Sequence, residues 1–417
     1  MSPSRRLPAA LVALAIGVWA LTAAGDLYPH QHLTDLPVYQ EAAAKMADRQ
    51  VPYRDFAFEY PPLAAGLMLF ARALPVAYAT AFHFLMLASL SAIVLAAVAT
   101  ARALGFGPLR QAAAGGIVAV MPVVLGDFIA TRFDLAVAAL VAWALWAAVV
   151  GRFRLAWGLL AAAVALKLAP VILVPLLVLW HRRHADGRSV LTHAGAGAVG
   201  AALTFMPFVA VSPGGVWDMF VYHLDRPLQI ESLGASYLLG LRELAGVGIR
   251  IESSFGSQNL AGSGARVIAA LSTGVAVAAI VAVCVTAWVL LHRVERPGGA
   301  TIFMAAAAAT LAVAVTAGKV LSPQFLVWLV PATLVVSGRF GRIAMGATVA
   351  IFVTTQIYFP VRYWDLVALE PGPIVLLVVR NALLVILVAL VWPRPAPATG
   401  LEVASPRAWR TRLRTGP

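Results

Sequence analysis

Read for its apolar and polar positions, the 417-residue chain is a succession of long apolar runs separated by short polar breaks. A helix rises 1.5 Å per residue, so about 20 apolar residues cover the hydrocarbon core of a bilayer. Runs near that length recur from end to end: Leu7 to Ala24, Pro75 to Ala101, Gln111 to Gly126, Phe128 to Val150, Leu155 to Leu168, Pro170 to Trp180, Val190 to Val211, Gly264 to Leu291, Ala300 to Ala317, Gln324 to Val336, Ile343 to Tyr358 and Gly372 to Trp392. The pattern predicts an all-α, polytopic transmembrane protein of about twelve helices. The fifth and sixth runs are too short to cross alone. They predict a tight hairpin broken at Ala169-Pro170, where proline removes a backbone donor; one span there would invert the sidedness of everything downstream. Leu7 to Ala24 reads as an uncleaved first helix rather than a signal peptide, because the run is long and many spans follow it.

Composition agrees. The chain is 61% hydrophobic and 12% charged, against about 25% charged in soluble domains, which excludes a water-soluble enzyme. Its net charge of +13 would suggest a polyanion partner in a soluble protein. Sorting by side removes that reading: segments on the side of Arg5 and Arg6 carry 18 of the 31 lysines and arginines and three of the 18 acids. The positive-inside rule makes that side cytoplasmic, with both termini, and leaves no nucleic-acid role for the charge. The organisation expected is one membrane domain over 1–393 and a basic, disordered cytoplasmic tail over 394–417. Cys284 is the only cysteine, so no intrachain disulfide can form.

Two external segments are long, 25–74 and 212–263, whereas cytoplasmic connections are short. Functional side chains collect on loops carried by a rigid scaffold, so the chemistry is expected on the outer face. No phosphate-cradling glycine–lysine motif, dinucleotide fingerprint or paired metalloprotease histidines occur. In the first long segment Asp35 precedes a helical pattern with an early proline, Pro37. It is either an N-cap or a general base that accepts a proton from an attacking hydroxyl. Glu59, ahead of Tyr60-Pro61-Pro62, is either an interfacial carboxylate or part of the site.

Charges at membrane level are costly, roughly 2.5–3.5 kcal/mol each on insertion scales, and need a partner or a wet cavity. Arg132 and Asp134 open the fourth run; Lys167 and Lys319 lie near the outer ends of others. The chain holds only Lys45, Lys167 and Lys319 against 28 arginines, and no cytoplasmic cation is a lysine. Lys167 and Lys319 therefore either snorkel to the interface or hold a phosphate. In the second long segment His223, Arg226 and Glu231 form a candidate polar wall around an anionic or sugar ligand. Arg380-Asn381 in the last run is either structural or cavity-lining.

Taken in order, Asp35 with Val38-Tyr39, Pro52-Tyr53, Tyr60-Pro61-Pro62-Leu63, Arg132 with Asp134, Lys167 with Pro170, Asp225-Arg226 with Glu231-Ser232, and Gly318-Lys319 with Ser322-Pro323-Gln324 resemble the polyprenyl-phosphate-sugar-dependent glycosyltransferases of the GT-C superfamily, in particular glycosyltransferase family 87, the bacterial membrane mannosyltransferase-like group. The resemblance implies a GT-C-like helical fold in a bacterial plasma membrane and inverting transfer of a sugar, mannose above all, from polyprenyl phosphate to a glycolipid or lipoglycan acceptor. It makes Asp35 the base. Arg132, Lys167, Lys319 and Arg226 would face the donor phosphate, and Tyr39, Glu59, Tyr60, Asp134, His223, Glu231 and Gln324 would line the substrates. No cofactor is implied; the ligand inventory argues against a tightly bound metal and leaves room for a weakly held divalent cation at the phosphate. The rival reading is a transporter or flippase, for which buried charges would line a path; a third is a non-catalytic assembly partner in which Asp35 only caps a helix.

Overall fold

The computed structural model describes residues 3–24, 33–294 and 296–395. Most of the expected basic tail, from residue 396 on, lies outside the described residues, as do 25–32 of the first long segment and Glu295. Helix α1 (Pro3–Ala24) leads into that segment, which holds α2 (Leu36–Ala47) and α3 (Pro62–Ala73). Next come α4 (Tyr78–Ala103), α5 (Pro108–Ala119), the short α6 (Met121–Val124), a 3-10 turn at Asp127–Thr131, α7 (Asp134–Val149), α8 (Phe153–Leu166), a 3-10 turn at Ala169–Leu173, α9 (Val174–Arg182) and α10 (Gly187–Val211). The second long segment folds into α11 (Pro213–Asp225), β1 (Leu228–Gln229), α12 (Leu233–Ala245), β2 (Arg250–Ser254) and β3 (Ser257–Ala261). The chain continues through α13 (Ser263–Arg293), α14 (Arg296–Ala317), a 3-10 turn at Pro323–Leu329, α15 (Val330–Thr333), α16 (Gly338–Tyr358), α17 (Tyr363–Val367) and α18 (Pro371–Val391).

Every run in the hydropathy pattern is helical, but only seven helices among the described residues, within α1, α4, α10, α13, α14, α16 and α18, are long and apolar enough to cross a membrane. The rest are shorter or interrupted. The segment from α8 to α9 is the expected hairpin. The Phe153 ring at the start of α8 stacks on His181 near the end of α9 with centroids 3.9 Å apart, and the Trp157 indole donates to His181 Nδ1 at 3.2 Å. The turn lies at Lys167–Leu173, where Lys167 is extended and Pro170 has no N–H to continue the ladder. A second break follows α14, which packs against both the 3-10 turn at Pro323–Leu329 and α15. Close helix approach in α14 rests on small residues: Ala305 to Ala309 are all buried, and with no hydrophobic drive between helices in lipid it is backbone proximity that holds them.

The outer connections are built by local signals. Asp55 Oδ2 accepts from Val51 N–H at 2.7 Å and closes a tight turn that holds Tyr53 at a left-handed φ of 68°. Ser232 caps α12 by accepting from the Ala235 N–H at 3.1 Å, and Gly246, at φ 66°, ends it. A three-stranded antiparallel sheet, ordered β1-β3-β2, adds to the helical class that the pattern predicts. Phe255 and Gly256, both at positive φ, form the two-residue turn between Ser254 and Ser257. The Ser212 hydroxyl donates to the Tyr53 carbonyl at 2.9 Å, so the two long segments meet over the same end of the helical bundle.

Candidate active site

Asp35 stands directly before α2, and its carboxylate makes no capping bond. It is turned instead toward Arg132, which lies in extended backbone between the 3-10 turn at Asp127–Thr131 and α7. Arg132 Nε donates to Asp35 Oδ2 at 3.0 Å and Nη2 to Oδ1 at 3.4 Å, while Nη2 also reaches the Leu33 carbonyl at 3.2 Å. The guanidinium lies over the rings of Phe128 and Phe359. The Tyr39 hydroxyl, one helical turn beyond Asp35, donates to Oδ2 at 3.3 Å. Arg132 is nearly enclosed, with 8% of its side chain exposed, but Asp35 keeps 32% and is open to a reactant.

Two residues beyond Arg132, Asp134 opens α7. Its Oδ1 accepts from Lys167 Nζ at 2.7 Å and from the Trp328 indole at 2.8 Å. The ammonium of Lys167 is boxed by Phe133, Phe325 and Trp328, with its nitrogen 4.9 to 5.1 Å from each ring centroid. Such faces attract a cation through their quadrupoles. Arg132 Nη1 and Asp134 Oδ2 are buried without protein partners. Trp328 and Phe325 are site residues that sequence reasoning missed; their signal is placement just after the Lys319 break, on the segment that returns into the bundle.

A cavity of about 900 Å³ opens beside this pair of ion pairs, walled by Tyr39, Tyr53, Phe58, Tyr60, Tyr222 and Glu59 among others. Tyr39 and Tyr60 pack edge to face at 5.8 Å, and both also touch Phe133. Burial holds their hydroxyls well above the ordinary phenol range, so both remain proton-bearing donors. Glu59 sits beside the Tyr60 and Tyr222 hydroxyls. His223 Nε2–H donates to the Glu59 carbonyl at 2.8 Å, tying α11 to the first segment, and burial lowers its affinity for a second proton. The structure thus brings Asp35, Tyr39, Glu59, Tyr60, Arg132, Asp134, Lys167 and His223 together.

The remaining expected residues lie elsewhere or do other work. Lys319 is a stitch: its ammonium donates to the Leu224 carbonyl, and its own carbonyl accepts from Gln229 N–H at 3.0 Å. Arg226 donates to Ser257 Oγ at 3.1 Å within the second segment. Gln324 is held by the Ser322 hydroxyl at the head of its 3-10 turn. Glu231 is a correction. Expected in a substrate wall, it is 1% exposed, its carboxylate enclosed by the Tyr358 hydroxyl at 3.0 Å and the Gln229 amide at 3.3 Å. Its carbonyl accepts from Arg380 at 2.8 Å and Asn381 at 3.3 Å, which makes that pair in α18 a structural clamp on the second segment. Burial pushes the Glu231 carboxyl up to about 7. Among the described residues no group of three or more His, Cys, Asp or Glu is placed to hold a metal ion.

No curated protein matches the chain. Among solved structures the chain is similar to the crystal structure of ArnT from Cupriavidus metallidurans bound to undecaprenyl phosphate, at 14% identity, over 92% of this chain and 76% of that one, with a TM-score of 0.48. Residues 58–323, more than half of the chain, match glycosyltransferase family 87, and the matched stretch contains Glu59, Arg132, Asp134, Lys167, Arg226 and Lys319. The protein belongs to glycosyltransferase family 87.

Proposed function

We propose that this protein is an inverting glycosyltransferase that moves a sugar, mannose, from a polyprenyl-phosphate carrier to a hydroxyl of an envelope glycolipid or polysaccharide, at the outer face of the plasma membrane. The observation that carries the reading is the partly exposed Asp35 carboxylate, gripped by Arg132 near a second cation, Lys167, and bonded to Tyr39 of an aromatic cavity wall. The outward orientation, with both termini cytoplasmic, rests on the charge asymmetry of the connections.

The acceptor hydroxyl attacks the anomeric carbon from the face opposite the carrier. Its proton passes to Asp35, the new carbon–oxygen bond forms, the bond from that carbon to the phosphate oxygen breaks, and polyprenyl phosphate leaves with the electron pair. The phosphodiester carries one negative charge and the departing monoester two. Asp35 loses one negative charge as the phosphate gains one. Arg132, whose Nη1 has no protein partner, can shift its support from carboxylate to phosphate while Lys167 faces the same charge from its ring box. Fixed cations in a poorly hydrated site act where charge grows, commonly the largest single contribution to catalysis.

Full-length protein in proteoliposomes, supplied with polyprenyl-phosphate mannose and a membrane glycolipid extract, tests this. Asp35→Asn keeps the shape of the side chain and should abolish transfer while the protein stays folded. A folded Asp35→Asn that still transfers sugar would refute the assignment of the base.

A further inference from the structure

The aromatic cavity has a charge balance that the transfer reaction by itself does not require. Of the carboxylates that line it, Glu41 is neutralised by Lys45 at 2.7 Å and Asp55 by Arg54 at 2.9 Å. Glu59 and Asp218 line it too, and neither has a cation within ion-pair reach among the described residues. Among the described residues, Lys45 and Arg54 are the only cations of the lining, and both are spent on those pairs. The described wall therefore holds two uncompensated carboxylates and no uncompensated cation. Arg132 and Lys167, paired with Asp35 and Asp134, are not part of this lining, and Arg132 keeps Nη1 without a protein partner.

We infer that the cavity is the acceptor subsite and that it selects an uncharged, hydroxyl-rich glycan end, rejecting acceptors that carry phosphate or uronate groups near the reacting hydroxyl. The inference rests on the transferase reading above. Flat rings offer apolar faces to the C–H faces of a sugar, and each carboxylate offers about four lone-pair sites to neighbouring hydroxyls. A volume of about 900 Å³ lies at the upper end of small-molecule pockets and has room for more than one ring. Tyr39 lines the cavity while its hydroxyl is bonded to Asp35, so a glycan end seated there has a terminal hydroxyl directed at the base. The two substrates are sorted by sign: the anionic donor goes to the cations, and the neutral acceptor goes to the carboxylates.

The probes are octyl β-glucoside and octyl β-glucuronide, which differ only in a carboxylate for the C6 hydroxymethyl, titrated calorimetrically at pH 7 into full-length protein in nanodiscs of zwitterionic lipid. Repulsion from two carboxylates a few ångströms away should weaken the glucuronide about tenfold or more. The Glu59→Gln, Asp218→Asn double variant should reduce the gap to less than about threefold by tightening the glucuronide. Asp218→Asn alone alters only an exposed side chain and should close part of the gap, which keeps the test open if the double variant is unstable. Equal binding of both glycosides by the unmodified protein, no binding of either, or a gap that the substitutions leave unchanged would overturn the inference. If charge selection is absent but Asp35→Asn still loses transfer, only the acceptor class falls. If Asp35→Asn transfers, the base assignment falls whatever the binding gap.

Discussion

Asp134 and Lys167 supply the sharpest energetic test of the site. Asp134 is 2% exposed and its ammonium partner sits 2.7 Å away with 17% of its side chain exposed, so both charges are largely out of water. Asp134→Asn keeps volume and an oxygen for the Trp328 indole but leaves Lys167 without a counter-charge. Removing one member of a buried pair costs about 3–5 kcal/mol, because the other is left desolvated and unpaired. The three rings around Lys167 are present before and after, and its residual exposure admits some water, which brings the expectation to about 2–4 kcal/mol. Lys167→Met strands Asp134 instead and should cost as much or more, since Asp134 has less access to water. The double variant removes both charges and should lie within about 2 kcal/mol of the unmodified protein, so the summed single effects should exceed it by a coupling energy of at least about 2 kcal/mol. The four proteins would be unfolded reversibly in detergent micelles with denaturant, followed by tryptophan fluorescence. Single effects that simply add, with coupling below about 0.5 kcal/mol, would refute the buried-pair reasoning.

Two further outcomes are expected. The Glu231 carboxyl titrates near 7 in the folded protein against an ordinary value of 4.5, so the native state holds its proton to higher pH than the unfolded chain does. Its stabilising effect is whole below about pH 4.5 and is lost as pH rises through 7, by about 3 kcal/mol in total; melting curves from pH 5 to 8 should record the decline, and Glu231→Gln should flatten it. Gly215 packs so closely on the first segment that an added Cβ would strike the Tyr53 carbonyl. Gly215→Ala should cost about 1–3 kcal/mol by forcing α11 off that turn and should weaken octyl glucoside binding in the same nanodisc preparation.

How much of this was legible in the sequence depends on the range of the interaction. Hydropathy located the long apolar helices, and proline marked the break at Ala169-Pro170, because a run of apolar residues and a missing N–H both act locally. The scarcity of lysine singled out Lys167 and Lys319 but gave the partner of neither, Asp134 for the one and the Leu224 carbonyl for the other. Asp35 and Arg132 are 97 residues apart, as are Trp328 and Asp134 by 194, and nothing local couples them. α3 stays inside the first long segment and is not counted as a span, because its 12 residues are too few to cross a bilayer. The β2–β3 turn left only the Phe255-Gly256 pair as a trace, since the strands are short and polar. Glu231 was grouped with His223 and Arg226 by proximity in sequence, whereas the residues that bury it, Tyr358, Arg380 and Asn381, arrive from the last two long helices.

The interrupted helices also set how far the bundle reaches. Fourteen residues in α8 and 16 in α7 extend about 21 and 24 Å, short of the ~30 Å hydrocarbon core of an ordinary bilayer. A membrane meeting that flank must thin or dip to match it. In the proposed reaction, a headgroup plane lowered in this way would bring the phosphate of a carrier lipid toward Lys167 at the broken end of α8 while its long chain stays in the hydrocarbon. On that proposal, the shortness of these helices makes the membrane itself part of how the donor is delivered.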